Sequence, residues 1–518
     1  MNQTKKLKIN FVLPPSQKIS GGPLAILEYA NRLMDRGHVV TITTYPDNFW
    51  DGENPFPWFK FKGDILFKKC RENSGLLIKI SHKFRKIFPN VGIPSVLKNH
   101  YRKVNLQKLG GIDLNKYSIL YKEPFDFIGG QLPIWLGLIE AMPECDLNIS
   151  TVWTTTFPVY LSKKGKPVYF MQHYEEIFYP FDTSYVLQRL LARSSYDLPI
   201  YKIANSSWLQ KIILNKHRQA VPFSNNGIEI ADFNPMKKLS AEDGIIRVVT
   251  YSRPEQWKGF VDAVQAMARI YKTYGKKIEW HVFGYLHPNL NEKNEFASYK
   301  FHSKLSFHEL AKLYATADIA LCTSWYESFP LPPLEAMACG TAVVTTDLGT
   351  EDYAFHEKNA LVVRSRDIEG IFSSVSRLTD DETLRKALAE EGRKTAEEFD
   401  WDTAVDRREE LLYSVYNGSI DYDILATAKT GLYDYSGCEF ERVIIDGLPE
   451  KGIFTSNENI YILNCGAKHR INSSELADRC TDLGYQYVKV DVLTAESLPM
   501  GPAIINESDI PPFKYNEI

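Results

Sequence analysis

Between residues 245 and 363 the chain alternates, across short connections, between strand-like and helix-like hydrophobic periodicity. Strands are predicted over 245–251, 278–283, 319–323, 342–346 and 360–363, and helices over 260–274, 307–315 and 332–339. Few folds accept that pattern. Parallel strands need crossover connections, helices supply them, and the product is a doubly wound parallel α/β sheet. Helices over 368–378 and 381–399 close the unit, and one within 401–417 either stays with it or crosses back to the N-terminal part.

The N-terminus starts a second unit of the same kind. A near-continuous apolar run over 8–13 reads as a buried parallel strand. It leads through a loop over 14–23, containing Gly21 and Gly22, into a helix over 24–35 and a strand over 39–43. Leu24, Ile26, Leu27, Ala30, Leu33 and Met34 share one face of that helix. Strand-like segments over 146–152, 167–171 and 201–204 continue the unit, and a serine after the last is placed to cap a helix over 208–214. Ligands of such sheets sit at the carboxyl ends of the strands, so the Gly21-Gly22 loop faces a site.

Composition narrows the function. The 518 residues suit three units at roughly 100–200 residues each: 1–237, 238–400 with its helix at 401–417, and an appended α/β or α+β domain over 418–518. With 44% apolar and 13% aromatic residues the chain is not disordered. A net charge of −3 excludes a nucleic-acid binder working through bulk charge. Seven cysteines fall at scattered spacings with no CxxC or Cys/His cluster, which suits reduced thiols in the cytoplasm and no metal site. The first residues do not read as a signal peptide, and no apolar run reaches 18 residues. A soluble, intracellular protein is expected. Two stretches depart from the average. Residues 60–108 hold thirteen Lys/Arg against two acids, either a solvated helical face, a surface for an anionic membrane or phosphate-bearing acceptor, or a site for a protein partner. The last 99 residues hold sixteen acids against eight bases, and serve either as an interaction module or as a buttress.

The segment over 325–340, WYESFPLPPLEAMACG, carries the most chemistry. Pro332 and Pro333 suit the first turn of a helix. Glu327 then lies in the loop after the strand over 319–323, and Glu335 in that first turn. Ser328, Phe329, Pro330 and Leu331 form the helix approach, where backbone N–H groups favour an anion. Upstream, the strand over 245–251 runs into SRPEQWKG and places Ser252, Arg253 and Lys258 on the same sheet edge. A planar guanidinium, a point charge and free amides suit a diphosphate, and flanking acids suit sugar hydroxyls. His281, on a buried strand, is expected to be structural. Glu351 and Asp352 are expected either to touch the ligand or to cap a helix.

These residues resemble the retaining glycosyltransferases of family 4, which use the GT-B fold of two Rossmann-like domains facing a cleft. The resemblance covers about 1–415 and rests on the glycine loop, SNNGIE at 224–229, the Arg253/Lys258 pair, 317–347 and GTEDY at 349–353. Segment 168–185, VYFMQHYEEIFYPFDTSY, is similar to bacterial rhamnosyltransferases that build surface polysaccharides such as O-antigen. The resemblance implies a nucleotide-sugar donor (UDP-, GDP- or dTDP-linked), a glycan or lipid-linked acceptor and no required cofactor or divalent ion. It implies that Glu335 holds the ribose, Glu327 the sugar hydroxyls, and Arg253 and Lys258 the diphosphate, with amides from Ser328 to Leu331. Gly21 and Gly22 approach the phosphates, Asn226, Ser252 and Gly284 join the donor site, and either Gln172 or His173 faces the sugar. Phosphorylases and nucleotide-sugar epimerases on the same fold, and a non-catalytic glycan assembly factor, are the alternatives.

Overall fold

The computed structural model describes residues 5–45, 54–68, 134–179, 186–217, 219–233, 244–284 and 299–418. It adds short pieces over 107–109, 112–113, 452–456, 459–464, 467–482, 486–487 and 503–510. The expected basic stretch therefore lies largely outside the described residues, as does the domain boundary expected near 237.

The first unit holds strands β1 (Lys8–Val12), β2 (Val39–Thr44), β3 (Asp64–Phe67), β4 (Leu147–Ser150), β5 (Lys166–Met171) and β6 (Tyr201–Ala204). Its helices are α1 (Gly21–Asp35), α2 (Trp153–Ser162), α3 (Val186–Tyr196) and α4 (Ser207–His217). The second unit holds β7 (Ile246–Ser252), β8 (Ile278–Gly284), β9 (Tyr299–Ser303), β10 (Ile319–Cys322), β11 (Ala342–Thr346) and β12 (Leu361–Val363). Its helices are α5 (Phe260–Tyr274), α6 (Phe307–Thr316), α7 (Leu331–Ala338), α8 (Ile368–Asp380) and α9 (Glu382–Glu397). All pairings in both sheets are parallel. The orders are β3-β2-β1-β4-β5-β6 and β9-β8-β7-β10-β11-β12. Each reads 3-2-1-4-5-6, the dinucleotide-binding order. The central strands are apolar on both faces because helices cover both: Val248, Ile319 and Val344 pack on the α5 and α8 side, and Val249, Ala320 and Val343 on the α6 and α7 side.

Helix α10 (Trp401–Asn417) follows the second unit in sequence but packs on the first. Asp400 caps it, accepting the Thr403 N–H at 2.7 Å. Trp401, Val405, Leu412 and Val415 enter the core around β1 and α1, and the Trp401 ring meets Tyr29 edge-on at 5.1 Å. Arg408 is buried with its guanidinium 3.3 Å from the Phe170 ring centre, and donates to the Ser224 carbonyl at 2.7 Å. His38 accepts the Leu7 N–H through Nδ1, so its Nε2 donates to Glu409, 2.8 Å away.

Several elements depart from the sequence reading. Helix α1 begins at Gly21, within the expected loop. Helix α2 (WTTTFPVYLS) has three threonines and an internal proline, a poor local signal; burial of Trp153, Phe157 and Val159 overrides it. Edge strand β9 (YKFHS) is polar and half-exposed and lacks an apolar run. In the tail, strands β13 (Gly452–Ser456), β14 (Asn459–Asn464), β15 (Ala467–Ile471) and β16 (Gln486–Tyr487) form a mixed sheet with helix α11 (Ser474–Asp482). Ile453, Ile462, Ile471 and Ile504 give it a core of its own. Among the described residues no helix is long and apolar enough to cross a membrane.

Candidate functional site

A sheet of this order opens its crevice at the carboxyl ends of its first and fourth strands. Loops leaving β1 and β4 in the first unit, and β7 and β10 in the second, all line one cleft of about 530 Å³. Gly21, Gly22, Gln172, His173, Asn226, Arg253, Lys258 and Gly284 line it, as do Glu327, Ser328, Phe329, Pro330, Leu331 and Glu335. Ser252 does not; it is buried at the end of β7, with its carbonyl 2.4 Å from where a Cβ on Gly284 would stand.

The charged side of the cleft is built from two loops stitched together. Trp325 N–H donates to the Trp257 carbonyl at 2.7 Å, and the Thr323 hydroxyl to the Gly259 carbonyl at 2.8 Å. Gly259 has φ +62°, and a Cβ there would stand 1.8 Å from the Thr323 oxygen; only glycine permits this approach. Gly349, at φ +92°, sits likewise under Glu327, with an added Cβ 2.1 Å from the Glu327 oxygen. The result is a close ion pair: Lys258 Nζ donates to Glu327 Oε1 at 2.5 Å, with the Ser324 hydroxyl on the same oxygen at 3.0 Å. Burial pushes the Glu327 carboxyl up, but the Lys258 charge and hydrogen bond, helped by His173 and Ser324, hold it below its usual value. Arg253 stands 3.6 Å from Glu255, its guanidinium over the Tyr251 ring at 5.7 Å.

Two details of the expected site are corrected. Helix α7 starts at Leu331 with Pro330 as its cap, so Glu335 lies one turn in and not in the first turn. Pro330 has no N–H. The backbone donors are Ser328, Phe329 and Leu331, which have no acceptor among the described residues. Glu335 is buried with no ion-pair partner among the described residues, and burial pushes its carboxyl up to about 8. It is a neutral acid at pH 7, able to donate as well as accept.

The first unit contributes neutral groups. Gly21 and Gly22 open α1, and a Cβ on either would meet nothing within 4 Å. Asn226 Nδ2 donates to Gln172 Oε1 at 3.4 Å. His173 is packed against Phe178, Trp208 and Tyr326, with ring centres 4.7, 5.4 and 6.1 Å away. Burial, with Lys258 assisting and Glu327 opposing, brings its pKa down to about 4, so it is a neutral imidazole. Among the described residues Gln172 Nε2, His173 Nε2 and Asn226 Oδ1 are buried on the cleft without a hydrogen bond, as are Arg253 Nε and Glu255 Oε2, which face each other at 3.6 Å. Buried polar atoms are normally satisfied, and such orphans around one cleft mark the place of a polar ligand.

Sequence reasoning missed four contributors. Glu175 lines the cleft, accepting the Trp153 N–H at 2.6 Å and the Tyr169 hydroxyl at 3.0 Å; burial outweighs these bonds and pushes it up to about 8. Asn205 accepts from the Ser328 hydroxyl and donates to the Gln172 carbonyl at 3.0 Å, so it ties the units together. Phe178 and Trp257 stack across the cleft at 6.0 Å. Only Glu175, within the QHYE run, carried a usable sequence signal. Glu351 and Asp352 do not line the cleft. Glu351 accepts the Gly349 N–H at 2.7 Å, and Asp352 clasps the first unit through Ser207 N–H at 3.0 Å and Asn225 Nδ2 at 2.7 Å. Among the described residues no three His, Cys, Asp or Glu side chains cluster as metal ligands would.

Known proteins share this fold. Sucrose-phosphate synthase from Thermosynechococcus elongatus superposes with TM-score 0.56 at 15% identity, covering 80% of this chain and 100% of that one. The Anabaena protein Alr3699/HepE, solved in complex with UDP-glucose, superposes with TM-score 0.51 at 16% identity, covering 79% and 100%. These likenesses show the fold, GT-B. By sequence, the O-antigen biosynthesis protein RfbC of Myxococcus xanthus is 26% identical over 283 residues, 52% of this chain and 21% of that protein. A D-inositol 3-phosphate glycosyltransferase of Salinispora tropica is 34% identical over 131 residues, 25% of each chain. The chain thus spans a fifth to a quarter of the length of these two relatives. Residues 233–395, which carry Arg253, Lys258, Glu327 and Glu335, match the family model of glycosyl transferases group 1.

Proposed function

We propose that the chain transfers a glycosyl group from a nucleoside-diphosphate sugar to a hydroxyl of a growing surface polysaccharide or lipid-linked glycan, with retention at the anomeric carbon. The observation that carries this reading is the Lys258–Glu327 pair, set beside Arg253 and the α7 amides in a cleft ringed by unsatisfied polar atoms. The name of the RfbC relative supports a polysaccharide product, and the UDP-glucose in the HepE structure supports a nucleotide-sugar donor. Segment 168–185 supports a rhamnosyl-type enzyme of family 4.

In this reading the second unit faces the donor and the first the acceptor. Breaking the anomeric bond develops negative charge on the diphosphate, which Arg253, Lys258 and the amides of Ser328, Phe329 and Leu331 stabilise. Gly21 and Gly22 leave room for phosphate oxygens. Glu327 receives sugar hydroxyls and Glu335 the ribose, while Gln172 and the bare Nε2 of His173 supply further sugar contacts. The departing phosphate oxygen takes the acceptor proton, so attack comes from the leaving-group face and configuration is kept. No divalent ion is required.

The test is release of nucleoside diphosphate from UDP-, GDP- and dTDP-sugars with and without glycan acceptor, with the product anomer read by NMR. Release only with acceptor, and a retained anomer, is the expected result. Acceptor-independent release would mark hydrolysis, and interconversion of the free nucleotide sugar an epimerase; either would overturn the reading. The basic stretch over 60–108 extends the proposal to peripheral contact with an anionic membrane: cosedimentation with anionic liposomes is expected at low salt and lost as salt rises.

A further inference from the structure

Strands β7, β8 and β9 carry a row of polar groups on one face of the second sheet. Register places Arg247 beside Glu279, and His281 beside Lys300. Lys300 Nζ donates to Glu279 Oε2 at 2.6 Å, and Arg247 Nε stands 3.5 Å from Oε1. Two cations thus keep Glu279 ionised, and a carboxylate only accepts. His281 Nε2, 2.6 Å from Glu279 Oε1, must therefore carry the proton and donate. Burial lowers the pKa of His281 against the opposing pull of Glu279, so the ring is neutral and its Nδ1 holds a lone pair. That lone pair faces His302 Nε2 at 2.9 Å, with the rings near parallel at 14°. Nε2 of His302 is then the donor. Burial, helped by His281 and Lys300 and opposed by Glu279, lowers the pKa of His302 as well. One ligand-free atom is left, Nδ1 of His302, fixed as an acceptor with no partner among the described residues.

His302 lines the cleft next to Phe283, its register partner, and near Lys304, Leu305, Phe307 and Leu310. Apolar walls beside one defined hydrogen-bond acceptor suit a flat heterocycle.

We propose that His302 reads the nucleobase of the donor, its Nδ1 accepting a ring N–H, and that Glu279 and His281 are positioning residues that hold it in that tautomer. The inference rests on the nucleotide-sugar reading and deepens it to a class of base. Uracil and thymine present N3–H, and guanine N1–H, at the edge such an acceptor meets. Cytosine N3 and adenine N1 present lone pairs there and are repelled. The donor is therefore a keto-base nucleotide.

Equilibrium binding of UDP, dTDP, GDP, CDP and ADP to the full chain at pH 7.5 tests this. At least one keto-base diphosphate is expected to bind tenfold or more tighter than both CDP and ADP. His302→Ala is expected to bring that ratio within threefold of one while leaving the CDP Kd unchanged. His281→Phe, which keeps a ring in the stack but breaks the relay, is expected to do the same. A merely structural role for either residue would move all five affinities together, and that result would overturn the inference. So would a wild-type protein that binds CDP or ADP as tightly as the best keto base. If none of the five binds, the nucleotide-sugar reading itself fails; if they bind without preference, only the base assignment does.

Discussion

At the crevice of the first unit stand Gln172, His173, Asn205 and Asn226; at that of the second stand Arg253, Lys258, Glu327 and Glu335. Both crevices arise from the same strand order, yet one presents neutral hydrogen-bonding groups and the other sets Arg253 and the Lys258–Glu327 ion pair beside the neutral acid Glu335. The difference lies wholly in the loops, since topology fixes where a site opens and not what it holds. It also tracks rigidity. The charge-bearing loops are locked to each other through Trp325, Trp257, Thr323 and Gly259, so the cation and the acid are held in place before any ligand arrives.

Opposite pH responses would sharpen that contrast. Glu335 is raised from 4.5 to about 8 in the folded state, so its contribution is full below pH 4.5 and is lost as pH rises through 8. Glutamine mimics the neutral acid at every pH. Glu335→Gln is expected to unfold later than wild type at pH 8, by up to about 5 kcal/mol, and to match it at pH 4.5. An equal gain at both pH values would remove ionisation as the cause. His173 runs the other way: lowered from 6.5 to about 4, its contribution is present above pH 6.5 and is lost as pH falls through 4. His173→Gln should flatten that acid limb by about 3 kcal/mol in denaturant titrations.

The ion pair comes next in size. Lys258→Ala and Glu327→Ala are each expected to lower kcat/KM about 10²-fold or more, about 2.7 kcal/mol of transition-state stabilisation. Because the two side chains act as one unit, the double variant should be little worse than the more damaging single one. Additive losses would mean that they act separately, and near-wild-type transfer would refute the site.

Glycines separate the units in a third way. Gly349→Ala forces a side chain into the Glu327 carbonyl at positive φ and is expected to cost about 1–3 kcal/mol, read as a lower Tm. Gly21→Ala meets open space and should leave the unfolding free energy within about 0.5 kcal/mol of wild type, with Tm nearly unchanged, while weakening nucleotide-diphosphate binding. A Tm loss at Gly21 equal to that at Gly349 would mean that the N-terminal glycines serve the fold and not the cleft.

The charged unit was the more legible in sequence, for a physical reason. Its strands are short apolar runs bounded by glycine and proline, and Glu327 and Glu335 sit at fixed offsets from Pro332 and Pro333. The neutral groups of the first unit lie on loops that sequence spacing does not bring together: Asn205 and Gln172 meet only because β5 and β6 are neighbours. Helix α2 and strand β9 were illegible because tertiary packing, not propensity, holds them. Trp257 and Phe178 come from different units, so their stacking across the cleft has no local signature.

The smallest effect bears on the seam between the units. The Ser328 side chain donates to Asn205 and lies 3.1 Å from the Ser206 hydroxyl, while its backbone N–H has no acceptor among the described residues. Side chain and backbone of one residue thus serve different units. Ser328→Ala removes its own cross-unit bonds, leaves those of Asp352 and keeps the amide, and a neutral hydrogen bond contributes about 1 kcal/mol. Global stability should fall by no more than that, because each unit keeps its own core. The cost should appear instead in the equilibrium between closed and open clefts. Small-angle scattering of the nucleotide-free variant should show a larger radius of gyration than wild type, and the donor KM should rise severalfold with kcat unchanged, since closure must then be driven by binding. A fall in kcat at constant KM would instead assign the Ser328 hydroxyl to the chemistry, and the division between a charged unit that reacts and a neutral unit that closes over it would not hold.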